Sequence, residues 1–275
     1  MATSNWPRKP VAFDGKYRSG ALFLWMILVL VGFKSIGVAE KFDVPPSSLH
    51  PKFTAYALEL LKAAKKAHEA KPKDVELAWK LGKAYFFAGE FATNKTDKAS
   101  LAERGITACK TAFSTNPDSA EVNYYYALNQ GQLARTKLFA ALGLVRKMHS
   151  KLALAANTKP SLDHAGPDRC LALLFRDAPG WPISIGNKKK ARAHLAKLKQ
   201  LAPDFPENVV VWLESWIKWK DRESLAKDLP QAGPVLQAAK KKLTGREWKP
   251  YWDDWDRRWL IIQEKAKKLL PTKDP

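Results

Sequence analysis

Five histidines, His50, His68, His149, His164 and His194, and two cysteines, Cys109 and Cys170, are the side chains with which this sequence could hold a metal or carry out acid–base and nucleophilic chemistry. Each of those chemistries needs several groups in one place. A structural zinc takes four ligands at short spacing, and a zinc protease sets two histidines four residues apart on one helix. No such spacing occurs, and the histidines are scattered over separate segments. His164 has Asp163 and Asp168 close by, but capping of a loop is the expected use of those groups. Gly186-Asn187-Lys188 is superficially like a phosphate loop. The upstream glycine of that pattern is missing, and Asn187 suits a helix N-cap. GxSxG is absent too. The sequence therefore predicts a protein without catalytic residues, metal or cofactor, so its function is sought in binding.

A binding surface needs elements to carry it, and the prolines mark them. Pro72, Pro117, Pro160 and Pro203 are 45, 43 and 43 residues apart. Each closes a segment with small or apolar residues at fixed earlier positions: Ala67, Ala64, Leu60; Ala112, Cys109, Gly105; Ala155, Leu152, Met148; Leu198, Leu195, Ala191. Ten residues beyond each proline stand Gly82, Ala127, Cys170 and Leu213, three of them small enough for paired helices to approach closely. Both cysteines thus fall on packing faces. Leu81, Gly82 and Tyr85 match the Leu-Gly-x-x-Tyr of a tetratricopeptide helix A, and the spaced alanines before a closing proline match helix B. Over residues 52–245 the chain resembles that family. The predicted fold is all-α, an α-solenoid of about four tetratricopeptide-like helix pairs with a C-terminal capping helix.

The pattern places a first helix at 52–70, A helices near 74–89, 119–132, 166–177 and 207–220, and B helices near 98–115, 136–158 and 188–202. A fourth B segment, 222–243, is expected to be broken around Pro230 and Pro234. The excess over the family's usual repeat length is assigned to Glu90–Ser100 and Asp177–Asn187. Asp74, Asp118 and Asn187 are the expected N-caps. Residues 246–275 form the capping helix, in which Trp252, Trp255, Trp259, Ile262 and Ala266 make one stripe and Arg257, Arg258, Glu264, Lys265 and Lys268 lie on the surface.

Charge and the N-terminus bear on the setting. The chain has 47 Lys+Arg against 27 Asp+Glu. The cations are dispersed among apolar helix positions, so they read as solvated faces rather than a nucleic-acid surface. Arg8, Lys9, Lys16 and Arg18 precede an apolar run, Ala21–Phe33, followed by the small residues Gly37 and Ala39. That order predicts a signal peptide, or an N-terminal membrane anchor through residues 20–39, in residues 1–39. A linker at 40–51 follows. The expected location is the periplasm or outside the cell, with attachment to the inner membrane as the alternative.

Tetratricopeptide arrays bind through the inner row of A helices. The matching positions are Trp79, Lys83 and Phe86; Tyr124, Leu128 and Gly131; Pro167, Leu171 and Leu174; and Val210, Glu214 and Ile217. From these the expected groove residues are Trp79, Lys83, Phe86, Tyr124, Leu128, Leu171, Leu174 and Ile217. They are mostly apolar, which suits a partner's hydrophobic segment, an apolar small ligand, or burial by the first or last helix of the chain itself.

A narrower resemblance rests on Ala178-Pro179-Gly180-Trp181-Pro182, Gly186-Asn187, the helix carrying Ala191, His194 and Leu195, and the closing Leu201-Ala202-Pro203. This arrangement is similar to the later repeats of the periplasmic T component of tripartite ATP-independent periplasmic (TRAP) transporters. The resemblance implies an exported scaffold that docks a partner, such as the transporter's substrate-binding protein, and handles a hydrophobic ligand. Two other readings compete with it. One is a membrane-anchored factor that organises an envelope complex; the other is an enzyme with a site near His164.

Overall fold

A computed structural model describes residues 50–136 and 141–270. The described residues form helices α1 (His50–Ala70), α2 (Val75–Glu90), α3 (Lys95–Phe113), α4 (Ala120–Thr136), α5 (Ala141–Thr158), α6 (Gly166–Asp177), α7 (Lys188–Leu201), α8 (Pro206–Lys218), α9 (Arg222–Lys242) and α10 (Lys249–Leu269), with a 3-10 turn at Arg246–Trp248. Among them there is no β-strand, only one isolated bridge, Gly180 to Gly186. The predicted leader at 1–39 and all but the last two residues of the linker lie outside the described residues; His50 and Pro51 already belong to α1.

Each helix packs on the next, and α2 reaches α4 as α6 reaches α8, so the pairs stack into an α-solenoid. Each of the four marker prolines lies in the connection between a B helix and the following A helix, where a residue without a backbone donor costs nothing. The A helices form the inner layer. All twelve residues of α6 are buried, whereas α7 buries only Ala191, Leu195 and Leu198. Close approach explains Gly82 and Gly105: a Cβ at the first would collide with Cys109 Sγ, and at the second with the buried Asn129 side chain. Both cysteines are buried and unpaired with each other.

Polar ties hold the repeats in register. The Asn129 amide donates to Gly82 O (3.0 Å), and the Gln132 amide donates to Phe86 O (2.8 Å) and Glu90 Oε1 (2.6 Å). Arg135 also donates to Glu90 (2.6 Å). Burial alone would raise the Glu90 carboxyl, but Arg135, Lys98 and the bond from Gln132 outweigh it and hold it below the usual carboxylate range. A carboxyl lowered by folding contributes stability that is complete above the unfolded pKa and is lost as pH falls through the folded one. Glu90→Gln is therefore expected to flatten the acid side of the stability–pH curve. Thermal melts taken from neutral to acid pH check this, and an unchanged acid limb counts against it.

Several sequence expectations need correction. α9 runs unbroken through Pro230 and Pro234. Both prolines lie on its exposed side, while Leu225, Ala232, Leu236 and Ala239 anchor the helix inward. Glu90–Ser100 holds only a four-residue connection, and the extra length there is helical; the 178–187 loop does carry extra length. Asp74 and Asn187 cap α2 and α7, but α4 is capped by Ser119, whose Oγ accepts from Val122 N (3.3 Å), and not by Asp118.

Before α6 three successive non-glycine residues, Asp163, His164 and Ala165, have left-handed backbone (φ 49°, 54° and 62°). This unfavourable run is held by its surroundings. Tyr124 OH donates to Asp163 Oδ2 (2.6 Å), Arg169 donates to the same oxygen (3.1 Å), and Asn208 Nδ2 donates to His164 O (2.9 Å). The His164 ring stacks on Phe205 at 4.0 Å. The Asp163–Ala165 turn is thus a structural joint between α4, α6 and α8.

Candidate functional site

The eight expected groove residues lie along one inner layer, but their access to solvent differs. Trp79 is half-buried and stacks on Tyr125, with ring centroids 5.6 Å apart and planes 8° from parallel. Lys83 is exposed, with Nζ 5.7 Å from the same Tyr125 ring. Phe86 is half-buried. Tyr124, Leu128, Leu171 and Leu174 are buried in the core at 5% exposure or less. Ile217 is partly buried against the second core. Burial, and after it the Asp163 carboxylate, pushes the Tyr124 and Tyr125 phenols up, so both stay neutral hydrogen-bonding groups.

The inner surface over the last repeat carries α10. This helix packs chiefly on α8, the fourth A helix, rather than only on the end of the array. Of the predicted stripe, Trp252, Trp255, Ile262 and Ala266 are buried, and Trp259 is half-buried. Arg258, expected on the surface, is 4% exposed. Its guanidinium makes a paired contact with Glu214 (2.8 and 2.9 Å), and it also donates to Glu207 (2.9 and 3.0 Å) and Asp254 (3.1 Å). Trp255 Nε1 donates to Glu207 Oε2 (2.7 Å). Glu214 is one of the positions at which a tetratricopeptide groove meets its ligand, and here a helix of the same chain takes it up.

Ahead of α10 the chain crosses to the first repeat. The Arg246 guanidinium lies 4.4 Å from the centre of the Tyr56 ring on α1, with Glu59 at 3.7 Å. The Tyr251 ring lies 6.4 Å from that of Phe87 on α2, and Tyr251 keeps 39% exposure. Tyr251, in the first turn of α10, thus sits beside an aromatic and cationic stretch, Tyr56, Trp79, Lys83 and Phe86, that the rest of α10 does not pack on. The Arg246 and Arg258 contacts had no signal in the sequence, because partners so distant along the chain leave no periodic trace.

Among the described residues no group of three His, Cys, Asp or Glu side chains is placed to hold a metal. No helix among them is long and apolar enough to cross a membrane.

No curated protein matches the chain. A family model does: that of regulator of microtubule dynamics protein 1-3, over residues 47–165. This finding overturns the likeness to the TRAP-transporter T component, and with it the periplasmic transport scaffold that the likeness implied. The residues behind that likeness are a Pro/Gly loop and a helix closed by Leu201-Ala202-Pro203, short features that do not by themselves mark a family. The matched segment runs from α1 to the turn before α6, so the similarity to that family covers the first two repeats and their uncovered inner face.

Proposed function

We propose that the chain is a protein-binding repeat scaffold, and that a partner segment docks on the uncovered inner surface at Tyr56, Trp79, Lys83 and Phe86, beside Tyr251. The observation that carries this reading is α10 itself. It lies on α8 as a bound amphipathic helix would, with tryptophan anchors and one buried arginine clamp, and apart from the Tyr251 contact with Phe87 it does not pack on α1 or α2. Half-buried aromatic rings with a cation beside them have the composition of binding hot spots. Lys83, Arg246 and the net charge of +20 favour an acidic partner with an apolar anchor. The role is binding rather than catalysis.

The family match supports microtubules, or a protein bound to them, as the first partner to assay. Full-length protein is expected to co-sediment with polymerised tubulin. Trp79→Ala and Lys83→Glu should each weaken pelleting about tenfold or more, the scale of a hot-spot truncation, while the helical circular-dichroism signal persists. Absence of pelleting, or equal pelleting by all three proteins, rejects the proposed surface.

A further inference from the structure

A second site lies on α5, α6 and α7, and the buried Leu171 of the inner layer also lines it. These helices enclose a cleft of about 230 Å³ whose lining includes His149, Asn157, Phe175, Lys190, His194 and Lys197. Phe175 is its apolar floor. The His194 ring lies parallel to Phe175 with centroids 5.6 Å apart, and the His149 ring meets it edge-on at 5.3 Å. Lys190 Nζ stands 5.3 Å from the centre of the same ring. Two imidazoles and an ammonium therefore converge on one aromatic side chain, and no acidic residue lines the cleft.

Beneath them is Asp168, 0% exposed at the start of α6. Its Oδ1 takes His194 Nδ1 at 2.7 Å and Lys197 Nζ at 3.4 Å, and its Oδ2 has no hydrogen-bond partner. A half-satisfied buried carboxylate is costly, and here it fixes two of the four basic groups. A carboxylate only accepts, so Nδ1 of His194 carries the proton and Nε2 is left for another partner. Ligand pockets for larger organic molecules run from about 300 Å³ upward, so this cleft suits something smaller.

We propose that the cleft binds a small phosphate-bearing anion, either inorganic phosphate or a phosphate monoester, through His149, Lys190, His194 and Lys197, with Asp168 as the positioning residue. Charge-assisted bonds from clustered basic groups to phosphate oxygens are strong and specific. Burial, then Lys190 and His194, hold His149 below the ordinary imidazole range. The groups around it are Lys190, His194 and Lys197 on α7 and Asp168 on α6. An incoming anion stabilises the protonated ring, so binding moves the His149 titration back upward.

The test uses the full chain with ring-labelled histidine, observed by NMR and assigned with His149→Gln. Inorganic phosphate and glycerol 3-phosphate are titrated separately, with sodium chloride at matched ionic strength as control. Saturable shifts of the His149 and His194 signals are expected, with the His149 titration moved to higher pH by bound ligand. The double change Lys190→Gln with Lys197→Gln should weaken them about tenfold without altering helicity. Saturation by both compounds assigns the phosphate group itself as the ligand, and saturation by glycerol 3-phosphate alone assigns the monoester. Shifts that follow ionic strength, or that survive the double change, overturn the proposal. Trp79→Ala should leave this titration unchanged, so the inner-surface reading and this one fail independently.

Discussion

Arg258→Ala is expected to lower stability by about 3–5 kcal/mol, the usual cost of removing one partner from a buried ion pair. The side chains of Arg258 and Glu214 are 5% and 3% exposed, so the remaining carboxylate finds little water to replace the lost guanidinium. Glu207 and Asp254 lose a partner as well. Burial works against the charge on Arg258, yet Glu207, Glu214 and Asp254 together hold it well above its ordinary pKa, which shows how strongly the cluster favours the ionised form. Against a typical domain stability of about 5–15 kcal/mol the loss is severe. Urea unfolding measures it. Combining Arg258→Met with Glu214→Leu should restore most of the loss, because an apolar pair of similar size removes the stranded charge. A single variant that costs less than about 1 kcal/mol would mean that α10 is not anchored through this cluster.

Leu174→Ala is expected to cost about 2–5 kcal/mol through the cavity left in the core. Leu174 occupies a ligand-facing position of the repeat pattern, but it is 1% exposed and packs between α6 and its neighbours. Any loss of binding in this variant should follow loss of fold, in contrast to Trp79→Ala, which should spare the fold. Denaturant titrations of both variants separate the two cases. A near-neutral Leu174→Ala would show that this stretch of the inner layer is open rather than packed.

The repeat architecture was legible because its determinants are local and recur. The four marker prolines recur between helices at a nearly constant spacing, and Gly82 facing Cys109 records a close helix crossing in residue size alone. The stripe of α10 was legible for the same reason, since three- and four-residue steps place side chains on one face. What that stripe faces was not. Periodicity assigns charged residues to solvent, so Arg258 was placed outside although its carboxylate partners lie on α8, far away in the chain. Asp168 read as a neighbour of His164, yet three-dimensional packing gives it to His194. Pro230 and Pro234 were expected to break α9, but burial of its opposite face outweighs the two lost backbone bonds. The TRAP likeness failed because short loop-and-helix motifs report geometry common to many arrays.

One helix changes how such an array should come apart. Strings of repeats ordinarily unravel unit by unit from an end, because each unit touches only its neighbours. Cys170, Leu171, Leu174 and Phe175 of α6 belong to the core of the first half, while Ala172 and Leu173 belong to that of the second. Such a keystone cannot loosen without disturbing both flanks at once, so these two cores should melt together, and amide exchange should be slowest at α6.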